Sequence, residues 1–230
     1  MLGSGKAMRF CPAVFAIARK DILSELRSRE IISSVLVFAV LVLVIFNFAF
    51  GQDAELIAQV SPGILWVAFS FAGVLALNRA FIPEKEENCL EGLMGCPVAR
   101  EAIYAGKALG SLVFMLAVEA VILPVFALLF SINVFQPKLI AVTILATLGF
   151  VAVGTIFSAL AVNTRAREMV LPILFLPVIT PVIISAVKAS ALALAGGGWG
   201  DMLMWLAILA AFDAIFMVVP FLVFPYAIEE

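Results

Sequence analysis

Hydrophobic residues in this chain form long continuous runs and do not alternate with polar ones. Six runs approach or exceed the roughly 20 residues that an α-helix needs to cross about 30 Å of hydrocarbon. Continuous apolar runs predict membrane-spanning helices and not the alternating strands of a barrel. We therefore predict an all-α integral membrane protein with a single transmembrane domain over residues 1–230. The predicted spans cover residues 31–50, 64–82, 108–132, 139–162, 169–187 and 202–225.

A more polar segment, residues 12–30, precedes the first predicted span. Phe15, Ala18, Ile22 and Leu26 recur every three or four residues and form an apolar stripe, with polar and basic residues opposite. This pattern predicts an amphipathic helix at the cytoplasmic membrane surface. The helix is either a simple anchor or an elbow that transmits movement from a cytoplasmic partner into the first span.

A charged loop, residues 83–101, separates the second and third spans and predicts a short coupling helix. Pro83 suits a first helical position, Gly95 ends the helix and Pro97 prevents its resumption. Its acidic face is either solvated or meets a partner outside the membrane. The candidate coupling residues are Glu84, Glu86, Glu87, Leu90, Glu91 and Leu93, with Arg27, Arg29 and Glu30 in support.

Composition and charge agree with this topology. The chain is 65% hydrophobic and 13% charged, which leaves too few polar residues to cover a soluble globule of 230 residues. Twelve of the fourteen Lys and Arg residues precede the first span or lie in the second and fourth loops. The positive-inside rule then places both termini in the cytoplasm, where the three cysteines are expected to be reduced. No cleavable signal peptide is expected, because the first long apolar run begins only at Ile31.

Two acids and three prolines interrupt the apolar spans. Glu119 and Asp213 lie near mid-membrane, where a charged group costs at least ~2.5 kcal/mol. Each acid must therefore face protein or water, or be protonated. It is either a functional group or a protonated, hydrogen-bonded packing residue. Pro172, Pro177 and Pro181 each remove a backbone donor, so the fifth span is predicted to be kinked or broken.

Weaker signals concern helix ends and helix contacts. Gly106 and Gly110 form a GxxxG pattern, which indicates a close helix contact. Ser61 followed by Pro62 predicts a capped helix start before the second span. The tryptophans predict an aromatic belt at headgroup depth, formed by Trp66, Trp199 and Trp205.

The residues supply no recognisable catalytic or metal-binding motif. The absence of histidine removes the commonest general base and a common haem or metal ligand. Cys89 and Cys96 lack companions that would complete a zinc site, and GSGKA at 3–7 lacks two required positions of a phosphate-binding loop. We therefore expect a non-enzymatic chain without a metal, a nucleotide site or a nucleic-acid partner.

Several segments together resemble a known family. The charged loop is similar to the cytoplasmic loop of type 2 ABC exporter membrane subunits, although Asn88 and Cys89 stand where Gly and Thr are usual. Within that superfamily the chain resembles CcmB, the haem exporter protein B family of cytochrome c maturation. The resemblance rests on the loop, on SPGILWVAF at 61–69, on ALNRAF at 76–81 and on RAREMVLPILFLPVITPVI at 165–183.

The resemblance implies a permease-like subunit of the bacterial inner membrane that works with a separate ATPase, CcmA, and with CcmC and CcmD. It implies that ATP is hydrolysed on that partner and drives release of the haem-loaded chaperone CcmE. The complex then handles haem, and no cofactor is bound by this chain. Closure of the ATPase is expected to move the helix at 84–94 and the N-terminal helix. A symmetric homodimer is expected by analogy.

Two other functions fit the sequence. One is a type 2 ABC permease for another cargo, such as a lipid, a polysaccharide or a drug. The other is a proton-coupled secondary transporter that uses Glu119 and Asp213 as a relay. The secondary transporter would need no ATPase.

Overall fold

The structure, a computed structural model, describes residues 4–27, 29–51, 53–77, 99–161 and 167–227. These residues form seven α-helices and contain no strand. Helices α2 to α7 each contain a segment long and apolar enough to cross a membrane, which confirms the predicted all-α membrane class. The helices are α1 (Ser4–Arg27), α2 (Arg29–Phe50), α3 (Ala54–Leu77), α4 (Arg100–Phe130), α5 (Pro137–Ala161), α6 (Arg167–Leu194) and α7 (Trp199–Ala227).

Helix α5 lies at the centre of the bundle and packs against α3, α4, α6 and α7. Glycines on α5 let these neighbours approach closely: Gly154 lies against the side chain of Leu77 on α3, and Gly149 faces α6 and α7. Phe150 packs edge to face on Phe175 of α6, with ring centroids 5.1 Å apart. Close packing matters here because lipid is as apolar as these side chains and supplies little hydrophobic driving force.

Helix α2 lies at the edge of the bundle, with most of its apolar surface exposed. It packs against α3 and α4. Near its end, Asn47 Nδ2 donates to the backbone carbonyl of Leu129, at 2.7 Å. This hydrogen bond ties the end of α2 to the end of α4.

Helix α3 begins about two turns earlier than the sequence predicted. Its N-cap is Asp53, whose Oδ1 accepts the backbone N–H groups of Glu55 and Leu56 at 3.0 and 3.2 Å. Ser61 is therefore not the cap, and Pro62 lies inside the helix. A carboxylate that satisfies two first-turn donors starts the helix at Asp53, and the later proline does not stop it.

The early start of α3 also changes the position of Trp66. The residue falls at mid-helix and is buried, and its Nε1 donates to Ser190 Oγ of α6 at 2.9 Å. Trp66 is thus a core residue, and its assignment to an aromatic belt is wrong. Trp199 is half exposed and Trp205 is partly buried, both near the start of α7.

Helix α6 is continuous through Pro172, Pro177 and Pro181, so it is not broken there, and a kink at these prolines stays a prediction. Thr180 Oγ1 donates to the carbonyl of Leu176 at 2.8 Å, one turn back along the helix. Packing against α3, α5 and α7 holds the helix together despite the lost backbone donors.

The predicted coupling helix lies outside the described residues. The described chain resumes at Ala99, which has an extended backbone, and α4 begins at Arg100. The roles of Glu84, Glu86, Glu87, Leu90, Glu91 and Leu93 therefore stay predictions.

Candidate functional site

Helix α4 is longer than a membrane span requires. Its 31 residues extend over about 46 Å at 1.5 Å per residue, against a hydrocarbon core of about 30 Å. Its apolar run begins only at Ala108, so we place the preceding turns outside the hydrocarbon. Helix α1 packs against this first part of α4.

Two glycines form the surface on which α1 rests. A Cβ atom at Gly106 would lie 2.7 Å from Ile17 Cβ and 3.0 Å from the backbone oxygen of Val14. A Cβ atom at Gly110 would lie 3.2 Å from Asp21 Cβ. Any larger residue at Gly106 would push α1 away, so the GxxxG pattern marks a close contact, as the sequence indicated.

An ion pair lies between these glycines. Lys107 Nζ is 3.1 Å from Asp21 Oδ2, and the Lys107 side chain is only 2% exposed. The other oxygen of Asp21 is 2.9 Å from Lys20 Nζ, whose side chain is 52% exposed. Lys107 thus has its charge compensated in a dry contact, where an isolated ammonium group would be costly.

Glu25 lies one turn beyond Asp21 on α1. Burial raises its pKa from 4.5 to about 7, and the neighbouring Asp21 carboxylate raises it as well, whereas Lys107 lowers it. Two acids of α1 therefore act on the charge of one buried lysine of α4. Glu25 changes protonation near neutral pH.

The Asp21, Glu25 and Lys107 cluster was missed by the sequence reasoning. Residues 21 and 25 are separated by one helical turn, so they share a face of α1. Lys107 is the neighbour of a glycine already singled out for close contact. That combination is the signal that could have identified the cluster.

Glu119, one of the two predicted intramembrane acids, is buried between α4 and α5. Its Oε1 is 2.6 Å from Thr147 Oγ1, which also lies 2.8 Å from the backbone oxygen of Thr143. A hydroxyl carries one hydrogen, so Thr147 can donate to only one of these oxygens. When it donates to Thr143, a protonated Glu119 can donate to Thr147 in turn. Glu119 Oε2 has no partner in the described part of the chain.

Asp213, the second predicted acid, lies on α7 and faces Gly149 of α5. A Cβ atom at Gly149 would lie 2.7 Å from Asp213 Oδ1, which has no hydrogen-bond partner among the described residues. Glycine at 149 therefore makes room for this carboxyl.

Helix α5 separates the two acids. Thr147 meets Glu119 and Gly149 meets Asp213, and two residues apart on a helix corresponds to a rotation of about 200°. The acids thus lie on nearly opposite sides of α5. The described residues contain no group of three acids or cysteines that could hold a metal ion.

A cavity of about 480 Å³ lies at the end of the bundle opposite the α1–α4 contact. It lies between the ends of α2 and α4 and the start of α3. Pro62 has no backbone N–H, so the carbonyl of Ala58 lacks its usual helical donor. Ala58 lines the cavity, where water can take the donor's place. The other lining residues are Asn47, Gly51, Ile57, Leu129, Phe130, Ser131 and Ile132.

The supporting coupling residues lie where two helices meet. Arg27 is the last residue of α1, and Arg29 and Glu30 are the first two of α2. Only residue 28 separates the two helices, so the end of α1 and the start of α2 are neighbours in the chain. Coupling by these three residues stays a prediction.

Comparison with known proteins gives one consistent result. The family model described as CcmB protein matches residues 12–230. A heme exporter protein B of Bradyrhizobium diazoefficiens is 31% identical over 185 residues, which is 80% of this chain and 83% of the relative. Heme exporter protein B of Pseudomonas aeruginosa is 29% identical over 177 residues, covering 76% and 79% of the two chains. That of Rhodobacter capsulatus is 28% identical over 170 residues, covering 74% and 78%.

Proposed function

The chain belongs to the CcmB family, and from that membership we propose that it is the membrane-spanning subunit of a haem export complex for cytochrome c maturation. The observation that carries the proposal is the family match over residues 12–230, which includes all six apolar helices. The proposed location is the bacterial inner membrane, with both termini in the cytoplasm.

We propose that a separate CcmA-like ATPase supplies the energy. The sequence of the loop between α3 and α4 predicts a helix with an acidic face and a leucine face, a pattern suited to a partner surface. The loop leads directly into α4, and α1 packs on the first turns of the same helix. Movement of the loop or of α1 would therefore reach the same part of the bundle. ATP is bound and hydrolysed by the partner and not by this chain.

Haem is assigned to the complex and not to a ligand of this chain, which contains no histidine to coordinate the iron. We propose CcmC-like, CcmD-like and CcmE-like partners, with release of the haem-loaded chaperone as the driven step. A homodimer of this subunit completes the proposed assembly.

The alternative of a proton-coupled transporter receives less support. Glu119 and Asp213 lie on different sides of α5, so the described side chains form no continuous relay between them. A type 2 ABC permease for another cargo remains compatible with the fold, since a fold does not specify a cargo.

The proposal is tested by charge reversal in the loop. The strain lacks the native gene and carries either the wild type or the double variant Glu87→Lys, Glu91→Lys. We expect normal membrane insertion of the variant, loss of ATPase copurification and at least a tenfold loss of c-type cytochromes. Glu55→Lys, the same reversal at an exposed position at the start of α3, is the matched control and should retain both.

Two results would contradict the proposal. One is normal c-type cytochrome production without this chain. The other is full activity of the purified chain in vesicles that contain no ATPase.

A further inference from the structure

Helices α1 and α4 run in the same direction where they touch. Val14 and Ile17 lie against Gly106, and Ala18 and Asp21 lie against Gly110, so the contact advances along both helices together. The contact thus extends over two turns and is not a single crossing point. The ion pair from Asp21 to Lys107 lies within it.

We propose that Asp21 and Lys107 are positioning residues that make α1 and α4 move as one body. The glycines set the distance between the helices, and the ion pair sets their register, because the observed alignment places the Asp21 carboxylate 3.1 Å from the dry ammonium group of Lys107, between the two glycine contacts. Without the ion pair, the close contact alone would allow α1 to slide along the glycine surface.

The same contact also governs α2. Helix α2 follows α1 after one residue, and its far end is tied to α4 by the Asn47 hydrogen bond to Leu129. Helix α2 is therefore linked to α4 at both ends, through α1 at one end and directly at the other. The mechanical meaning of this arrangement rests on the proposed function, in which a partner moves α1 and the loop.

Docking of α1 is measured with a buried thiol. Ala18 is 2% exposed in the contact, so Ala18→Cys should react slowly with a soluble maleimide in membrane vesicles of the full chain. Cys11, exposed on the same helix, is kept as the internal reference, and Cys89 and Cys96 are replaced by serine. Mass spectrometry gives the labelling rate of residue 18 relative to Cys11.

In this background Asp21→Lys should raise the relative rate at residue 18 at least tenfold, because two lysines then oppose each other in the contact. The exchanged pair Asp21→Lys, Lys107→Asp should restore protection to within about threefold of the parent, since one ion pair is re-formed. Lys20→Ala removes the exposed partner of Asp21 and should leave the rate unchanged.

Continued protection of residue 18 in Asp21→Lys would overturn the proposal. So would an exchanged pair that inserts normally but in which residue 18 still reacts as rapidly as in Asp21→Lys. Asp21→Asn is measured in parallel, and an unchanged labelling rate of residue 18 in that variant also counts against the proposal.

None of these rates requires the ATPase. When the ATPase is present, Asp21→Lys should retain its copurification yet lose c-type cytochromes, which the exchanged pair recovers. If the labelling rates are as expected and only the copurification and cytochrome results fail, the proposed function is contradicted and the α1–α4 contact is not.

Discussion

Two buried ionisable residues on α4 differ in the partner that the structure gives to their polar group. Lys107 and Glu119 are each 2% exposed and lie about 18 Å apart along the helix. Lys107 pairs with the opposite charge of Asp21, whereas Glu119 meets the neutral hydroxyl of Thr147. The first arrangement lies where α4 leaves the apolar core, and the second lies at its middle.

The difference follows from what each environment can supply. Near the start of α4 the polar helix α1 brings a carboxylate to Lys107. At mid-membrane the hydrogen-bond partner of Glu119 in the described part of the chain is the neutral hydroxyl of Thr147, and Glu119 Oε2 has none, which suits a neutral acid better than a carboxylate. Neutralising the acid should therefore be tolerated at Glu119 and not at Asp21.

The largest effect is expected from Asp21→Asn, which leaves Lys107 charged and buried. Removal of one partner from a buried ion pair costs about 3–5 kcal/mol, and we expect the lower end because Asp21 is partly exposed and the Glu25 carboxyl also acts on Lys107. Lys107→Met should cost less than about 1 kcal/mol, because Asp21 keeps Lys20 as a partner and methionine fills the space. Chemical unfolding of the purified protein in detergent measures both free energies. Equal losses of stability in the two variants would contradict the expectation that removing the charge of Asp21 costs more than removing that of Lys107.

An intermediate effect is expected at Glu119. Glu119→Gln keeps a neutral group that can hydrogen-bond Thr147, so stability should change by less than about 1 kcal/mol and c-type cytochrome production should be retained. Glu119→Leu removes the hydrogen bond and should cost about 1 kcal/mol more. Loss of activity in the glutamine variant, at normal protein levels, would instead favour a titrating carboxyl and the proton-coupled alternative.

The smallest effect is expected from Glu25→Gln, and it depends on pH. The pKa of Glu25 is about 7 in the folded protein, above its usual 4.5, so the folded state binds more protons between these values. Stability of the wild type should therefore fall as pH rises from 4.5 to 7 and stay constant above. The variant should be more stable than the wild type at pH 8, by less than about 1 kcal/mol, and equal to it near pH 4.5. Melting curves at both pH values measure the difference, and a larger gain at pH 4.5 would reverse the assigned sign.

Much of the fold could be predicted because the relevant signals are local. Continuous apolar runs of sufficient length specify six helices, since a backbone in lipid must satisfy its hydrogen bonds within each segment. The family resemblance was also visible in the sequence, and the match over residues 12–230 confirms it. Gly106 and Gly110 indicated a close contact without naming the helix that makes it.

Tertiary structure decided the partners and several boundaries. Local rules favoured Ser61 as a cap and Trp66 as an interfacial residue. In the structure Asp53 starts α3, and the indole of Trp66 is buried and donates to Ser190 of α6. The ion pair of Asp21 with Lys107 joins residues 86 positions apart, and no periodicity within either helix specifies it. Sequence determines which segments enter the membrane because that free energy is a sum over single residues. Helix packing determines which charges meet, because that free energy depends on distances between distant parts of the chain.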